Sequence, residues 1–123
     1  MSVFDMTSVL IVDDQPAFRA QLRRLLTDAG LEVVGEAGDI PAAEVQVRAR
    51  RPDLAVVDVM LPGINGLDGT PRLRALRPGL RVILISAYAD RAEALRLAAQ
   101  EAGAETFVAK DDLELSVVRT WSS

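Results

Sequence analysis

The sequence predicts an α/β fold built on one five-stranded parallel sheet. Short apolar runs alternate with amphipathic helical patterns along the 123 residues, and the connections between them are short. Alternation of this kind is typical of βαβ units joined by right-handed crossovers. Several apolar runs also end directly on a polar side chain, as expected where a strand buried on both faces reaches the crevice outside the sheet.

The central strand is predicted at residues 54–58, an apolar run that ends on Asp58 and precedes a Pro62-Gly63 turn. Because the carboxyl ends of parallel strands share one edge, the polar residues that follow the strands should meet there. Three further strands have this design: residues 9–12 before Asp13 and Asp14, residues 82–85 before Ser86, and residues 107–109 before Lys110.

The first two helices have the clearest signals. Pro16 suits a first helical turn, Gly30 ends the helix, and residues 31–36 are predicted as a short strand near the sheet edge. Asp39 is the predicted N-cap of the second helix, with Pro41 in its first turn. The predicted buried residues are Phe18, Leu22, Leu25, Leu26 and Ala29 in the first helix, and Ile40, Ala43 and Val47 in the second.

The last three helices depend on weaker start signals. In the fifth helix, Leu115 and Val118 are expected to lie off the buried stripe. The third helix is predicted to begin with Thr70 as cap and Pro71 in first position, and to run to about Leu76. The fourth is predicted to begin with an Asp90–Glu93 capping box and to stop at Gly103. The fifth is predicted to be capped by Asp111 with Glu114.

Composition excludes several kinds of site. The chain has no cysteine and no histidine, which excludes disulfides, thiolate nucleophiles, Ser–His–Asp triads and histidine-ligated metals. The net charge is −4 and there is no dense basic run, so direct binding to nucleic acid is not expected. No stretch resembles a membrane span or a signal peptide, which predicts a cytoplasmic protein. Lys110 is the single lysine.

The residues that remain favour carboxylate, hydroxyl and amine chemistry. Like-charged carboxylates repel by about 4 kcal/mol at about 4 Å and an effective dielectric of about 20, and a divalent cation relieves that repulsion. Mg²⁺ is typically held by one or two carboxylates, waters and a phosphate. Asp58 could then attack a phosphoryl group, while Lys110 and the hydroxyl of Ser86 contact its oxygens.

Each of these residues also has an ordinary structural interpretation. An aspartate pair after a strand is often a helix N-cap, and Asp14 could serve as one. Asp58 alone could be a turn residue, Lys110 alone a solvated strand end, and Phe107 alone a core residue. The joint pattern is far more specific, because independent surface residues need not all fall on one edge of the sheet.

The ordered set of motifs resembles the receiver domain of bacterial two-component response regulators over about residues 7–121. Asp111 stands where that family usually has a proline, which resembles the subfamily whose receivers precede helix-turn-helix output domains. The matching pieces are residues 9–14, Asp58 with residues 60–63 and Gly66, Ser86 with Ala87, and residues 107–110.

The resemblance implies a doubly wound, flavodoxin-like sheet of order 2-1-3-4-5. It implies that Asp58 accepts phosphate from a histidine kinase, and that Ser86 and Lys110 contact the phosphoryl group. Ser86 and Phe107 would form a switch that acts on the face of helix 4, strand 5 and helix 5, which in this family is often a dimer surface. The implied Mg²⁺ ligands are Asp13, Asp14, Asp58 and the backbone carbonyl of Met60.

The predicted protein is therefore a phospho-accepting signalling module and not an enzyme, apart from promoting its own phosphorylation and dephosphorylation with Mg²⁺. Residues 1–6 are expected to be a frayed extension and residues 7–123 the receiver domain. Expected partners are a sensor histidine kinase or phosphotransfer protein, an output domain or effector, and in some settings a second copy. The alternatives are a phosphorylation-independent adaptor on the same fold, and a haloacid-dehalogenase-like phosphatase.

Overall fold

The five predicted strands form one parallel sheet in the order β2-β1-β3-β4-β5, which confirms the predicted topology. The structure is a computed structural model that describes residues 6–122. The strands are β1 Ser8–Val12, β2 Glu32–Ala37, β3 Leu54–Asp58, β4 Arg81–Ser86 and β5 Thr106–Ala109. The helices are α1 Pro16–Asp28, α2 Ile40–Arg50, α3 Gly66–Leu76, α4 Ala92–Ala102 and α5 Leu115–Val118.

Strand alternation divides the apolar core into two layers, one on each face of the sheet. In β1, Leu10 and Val12 pack on the side of α2, α3 and α4, whereas Val9 and Ile11 pack on the side of α1 and α5. Every residue of β3 is buried, because this strand lies in the middle of the sheet and both of its faces are covered. The Asp58 end of β3 is thus held by neighbouring strands on both sides.

The predicted positions of α1, β2 and α2 are confirmed, although Phe18, Leu25 and Ala29 of the predicted α1 stripe are only partly buried against the core. Helix α1 begins at Pro16, and Leu22 and Leu26 are its buried residues. Strand β2 lies at the edge of the sheet. The Oδ1 atom of Asp39 accepts a hydrogen bond from the backbone N–H of Ala42 at 2.9 Å. The three predicted core residues of α2 are fully buried: Ile40, Ala43 and Val47.

The predicted start of α3 is wrong. The helix begins at Gly66, and its cap is Asn65, whose Oδ1 atom accepts from the N–H of Asp68 at 2.8 Å. Thr70 is inside the helix, where its hydroxyl donates to the carbonyl of Gly66 at 2.7 Å. Pro71 is therefore an interior residue of α3 and cannot donate the usual backbone hydrogen bond. The Asn65 cap and the buried contacts of the helix compensate for this loss.

The predicted caps of α4 and α5 are also wrong. Ala89–Arg91 and Lys110–Asp112 form short 3₁₀ turns, so Asp90 and Asp111 lie inside turns and do not occupy cap positions. Neither Arg91, which precedes α4, nor Glu114, which precedes α5, forms a side-chain cap hydrogen bond. The predicted end of α4 at Gly103 is confirmed.

Val118 is buried, contrary to the expectation that it lies off the core stripe. That expectation assumed one continuous α-helix, but α5 is a single turn followed by a 3₁₀ turn at Arg119–Trp121. In a 3₁₀ turn, residues three apart lie on the same face, which places Val118 and Trp121 together in the core.

Two further expectations concern the N-terminal segment and membrane spans. The predicted frayed segment at residues 1–6 lies outside the described residues except for Met6, which is half-exposed. Among the residues that the structure describes, no helix has the length and apolar character needed to span a membrane.

Gly66 provides a test of how tightly α3 is placed against the end of β3. A Cβ atom at this position would lie 2.3 Å from the backbone oxygen of Asp58. We expect Gly66→Ala to lower the free energy of unfolding by roughly 1–3 kcal/mol, because backbone must move to make room. Urea unfolding followed by circular dichroism measures this change.

The matched control is Gly79→Ala, whose new Cβ would meet only the flexible end of Arg77. Its expected effect is within about 0.5 kcal/mol. Equal losses of stability in the two variants would contradict the close approach of α3 to the Asp58 carbonyl.

Candidate functional site

Four of the predicted site residues meet at the carboxyl edge of the sheet. One oxygen from each of Asp13, Asp14 and Asp58 lies within 4.8 Å of the others. The Nζ atom of Lys110 lies 2.8 Å from Oδ2 of Asp13 and 2.8 Å from Oδ2 of Asp58. The expected convergence of strand ends β1, β3 and β5 is therefore present.

Local hydrogen bonds fix the two buried carboxylates. Oδ1 of Asp13 accepts from the N–H of Gln15 at 2.8 Å, and Oδ1 of Asp58 accepts from the N–H of Met60 at 2.8 Å. In both cases the carboxylate closes a turn two residues long at the end of its strand. Gln15 precedes α1 without a side-chain cap, so the alternative in which Asp14 caps this helix is wrong.

The donor set fits a hard divalent cation. Asp13 is fully buried and Asp58 is 5% exposed, whereas Asp14 is exposed at the mouth of the site. Oδ2 of Asp13 forms no well-angled hydrogen bond to any described donor, although the Lys110 ammonium is close to it. A buried carboxylate oxygen with this spare capacity, beside two further carboxylates, matches the oxygen ligands that Mg²⁺ prefers.

Burial and the neighbouring charges perturb the pKa values of the site. Burial raises the pKa of Asp58 to about 6, and contact with Asp13 adds to this, while Lys110 and the Met60 N–H oppose it. Burial opposes the charged form of Lys110, but its close contacts with the Asp13 and Asp58 carboxylates outweigh this and raise its pKa. Lys110 therefore stays cationic, and the carboxylates remain short of positive charge.

An open cavity of about 250 Å³ leads to the carboxylates. Met60 and Tyr88 are both about half-exposed and stand at its rim. The residues that line it are Asp14, Gln15, Asp58, Met60, Ala87, Tyr88 and Lys110. The site is thus accessible from outside, with room for a small tetrahedral group beside Asp58.

Ser86 lies at the end of β4 and lines a second cavity of about 400 Å³, which extends toward α4. Its hydroxyl is buried and accepts a hydrogen bond from the N–H of Tyr88 at 3.1 Å. Met60 and Tyr88 border both cavities. Phe107 is 3% exposed and packs in the core on the α4 side of the sheet.

Two residues of α1 contact the site and were not predicted as site residues. The ring of Phe18 lies below Lys110, with its centroid 4.0 Å from Nζ, an arrangement that favours a cation. The guanidinium of Arg19 donates to the backbone carbonyl of Asp13. Their position in the first turn of the helix after Asp13 and Asp14 could have indicated that they lie near the site. Phe18 was instead explained by its place in the apolar stripe of that helix.

Comparison with known proteins gives a consistent family assignment. The response regulator receiver domain family matches residues 9–117. The DNA-binding transcriptional activator DevR/DosR of Mycobacterium tuberculosis is 39% identical over 115 residues, which cover 93% of this chain and 52% of that protein. The chain thus spans about half the length of this relative.

Solved structures of receiver domains have the same fold. The receiver domain of the response regulator NarL from Mycobacterium tuberculosis superposes with a TM-score of 0.83 at 32% identity, covering 94% of this chain and 92% of that one. The CheX–CheY–BeF₃–Mg²⁺ complex from Borrelia burgdorferi gives a TM-score of 0.81 at 28% identity, covering 92% and 84%. The chain belongs to the family of response regulator receiver domains.

Proposed function

We propose that Asp58 is the residue of this phospho-accepting signalling domain that takes the phosphoryl group. The observation that carries the proposal is the contact of the Asp58 carboxylate with the Lys110 ammonium, beside two further acids and at the base of an open cavity. A carboxylate oxygen of Asp58 would attack phosphorus as the bond to the donor's histidine nitrogen breaks. The products are an acyl phosphate on Asp58 and a free histidine in the donor.

The residues around Asp58 would balance the charge of the transferred group. Lys110 supplies a fixed ammonium at 2.8 Å from the carboxylate, and the Ser86 hydroxyl can donate to a phosphoryl oxygen. We propose that Asp13, Asp14, Asp58 and the Met60 carbonyl hold Mg²⁺, which when bound would neutralise the carboxylates and the incoming phosphate. The Mg²⁺ in the CheY complex supports this choice of metal.

The proposed donor is a sensor histidine kinase or a phosphotransfer protein, in keeping with the receiver domain family to which the chain belongs. We propose that the phosphorylated domain acts through its α4, β5 and α5 face on an output domain, an effector or a second copy. A helix-turn-helix output domain is the leading choice, because the similar DevR/DosR is a DNA-binding activator about twice as long. The acidic domain itself would not contact DNA.

The two alternative functions have less support. A haloacid-dehalogenase-like phosphatase needs a second acid two residues after its nucleophile, and Met60 occupies that position. A phosphorylation-independent adaptor would have no need of three clustered carboxylates, whose mutual repulsion costs stability and is only partly offset by Lys110. We propose no turnover of any other substrate.

We propose that Ser86 and Phe107 form the switch. A phosphoryl group on Asp58 would draw the Ser86 hydroxyl toward it, which changes the cavity between β4 and α4. Phe107 is buried in this structure, the inward position that the switch assigns to the phosphorylated form. The unphosphorylated protein should therefore already populate an inward ring, and phosphorylation should shift the population further.

Labelling with acetyl phosphate tests the acceptor. We expect one phosphoryl group per wild-type chain, measured by intact mass, because Mg²⁺ and Lys110 can neutralise the transferred group. Labelling should be lost in Asp58→Ala and in EDTA. Asp28→Asn, at the far end of α1, is the matched control and should label normally. Equal labelling of Asp58→Ala and wild type would overturn the assignment, and an unlabelled wild type would favour the adaptor.

The raised pKa of Asp58 predicts a pH-dependent stability in the absence of metal. Folded Asp58 keeps its proton to about pH 6, whereas the unfolded chain releases it near the ordinary value of 3.8. Stability is therefore lost as pH rises through this window. Asp58→Asn should be more stable than wild type by on the order of 2 kcal/mol at pH 7.5, and by nearly nothing at pH 4.

Urea unfolding in EDTA, followed by the fluorescence of the single buried Trp121, measures this difference at both pH values. Asp28→Asn is again the control, since it removes a charge far from the site. A gain in stability for Asp58→Asn that is the same at pH 4 and pH 7.5 would contradict the burial effect.

Beryllofluoride with Mg²⁺ tests the switch by NMR. We expect wild-type amide shifts both around Asp58 and along α4, because Ser86 couples the two. Ser86→Ala should keep the shifts near Asp58 and lose most of those in α4. Ser116→Ala is the control, since Ser116 is exposed on α5 and its hydroxyl, among the described residues, bonds to Glu114 alone. Undiminished α4 shifts in Ser86→Ala would exclude Ser86 as the coupling residue.

A further inference from the structure

We propose that Arg19 is a positioning residue for the cation site, which sets the affinity for Mg²⁺ by holding the backbone of Asp13. The inference rests on the proposed function, since it concerns the acids assigned there to the metal. Arg19 does not contact the carboxylate cluster itself through any hydrogen bond among the described residues; it contacts the carbonyl of the residue that bears the buried acid.

The guanidinium of Arg19 makes two directional contacts at once. One terminal N–H₂ group donates to the backbone oxygen of Asp13, and Nε donates to Oε1 of Glu36 at 3.0 Å. Glu36 lies on β2, the strand next to β1. Arg19 thus links the first turn of α1, the loop after β1 and the edge strand. The side chain of Arg19 is only 21% exposed, so water screens this link weakly.

The same edge strand holds Asp13 from its other side. The N–H of Asp13 donates to the carbonyl of Ala37 at 2.9 Å, and its Oδ1 accepts from the N–H of Gln15. With the Asp13 carbonyl held by Arg19, the N–H, the C=O and Oδ1 of Asp13 each have a hydrogen-bond partner, whereas Oδ2 has the Lys110 ammonium 2.8 Å away. Oδ2 is the buried oxygen without a well-angled donor, and its direction is therefore set before a cation arrives.

Charge alone would argue for the opposite effect, because a guanidinium near the site repels a cation. Glu36 offsets that charge at Arg19. Burial opposes ionisation of Glu36, but its hydrogen bonds with Arg23 and Arg19 outweigh this and lower its pKa, so it is ionised at neutral pH. The site gains a fixed donor to Asp13 with a weaker field than that of bare cations, because Glu36 offsets one of the two positive charges of Arg19 and Arg23.

Arg23 is a matched control that the chain itself provides. It also belongs to α1 and also bonds to Glu36, with Nε 2.7 Å from Oε2, but among the described residues it forms no hydrogen bond or ion pair with Asp13. Arg23→Gln removes one charge and one bond to Glu36, as Arg19→Gln does. Only Arg19→Gln also releases the Asp13 carbonyl. Arg19→Lys keeps the charge but loses the planar fork that makes both contacts.

The experiment measures Mg²⁺ dissociation constants at constant ionic strength from the amide shifts of Asp14 and Gln15. We expect Arg19→Gln and Arg19→Lys each to weaken Mg²⁺ binding by roughly 10-fold, as for other residues that orient a metal ligand. Arg23→Gln should change it by less than about 2-fold. Urea unfolding in EDTA gives the metal-free stability of each variant. We expect the order of the variants by free energy of unfolding to differ from their order by Mg²⁺ affinity.

Three outcomes would overturn the proposal. Equal affinities in Arg19→Gln and Arg23→Gln would show that only charge or the Glu36 bond matters. Unchanged affinity in Arg19→Lys would show that the fork is not needed, and this variant decides the question if Arg19→Gln does not fold. A wild-type protein that binds no Mg²⁺ would overturn the proposed function as well, whereas normal wild-type binding with unaffected variants removes the role of Arg19 alone.

Discussion

The imbalance between three clustered carboxylates and the single ammonium beside them is the constraint on which the rest of this site depends. Lys110 bridges Asp13 and Asp58 at 2.8 Å, but one positive charge faces three acids. Burial raises the pKa of Asp58 to about 6, and contact with Asp13 adds to the rise, although Lys110 opposes it. Such a cluster is poorly stabilised alone, and a divalent cation would offset its excess negative charge.

The scaffold keeps these charges in place through packing on both faces of the sheet. β3 is buried along its whole length, so Asp58 stands at the end of a strand that cannot shift without disturbing both core layers. Gly66 lets α3 approach the Asp58 carbonyl closely, and the Asn65 cap starts that helix beside the site. The rigid packing of the core thus holds the Asp58 carboxylate in one position, as a site that acts by positioning its charged groups requires.

The two sides of the site differ in kind. Toward β2, the backbone of Asp13 bonds to Arg19 and to Ala37, and Glu36 holds Arg19 in turn. Toward α4, Ser86 lines a cavity of about 400 Å³ and the helix begins after a 3₁₀ turn without a side-chain cap. The side held by hydrogen bonds is suited to binding a ligand, and the side with the cavity is suited to a conformational change. A phosphorylation switch needs both properties.

The sequence by itself determined the elements whose signals are local: the apolar strands, the Asp39 cap, the amphipathic α1 and the polar residues at strand ends. Sheet order and the receiver family followed from the resemblance carried by those motifs. Only the tertiary structure decided the start of α3 and the burial of Val118. Close contact of α3 with β3 places Pro71 inside the helix, against the usual preference of proline for the first turn, and a 3₁₀ turn brings Val118 into the core. It also decided the roles of Phe18 and Arg19, because contacts between a helix and a distant strand depend on packing, which no local pattern encodes.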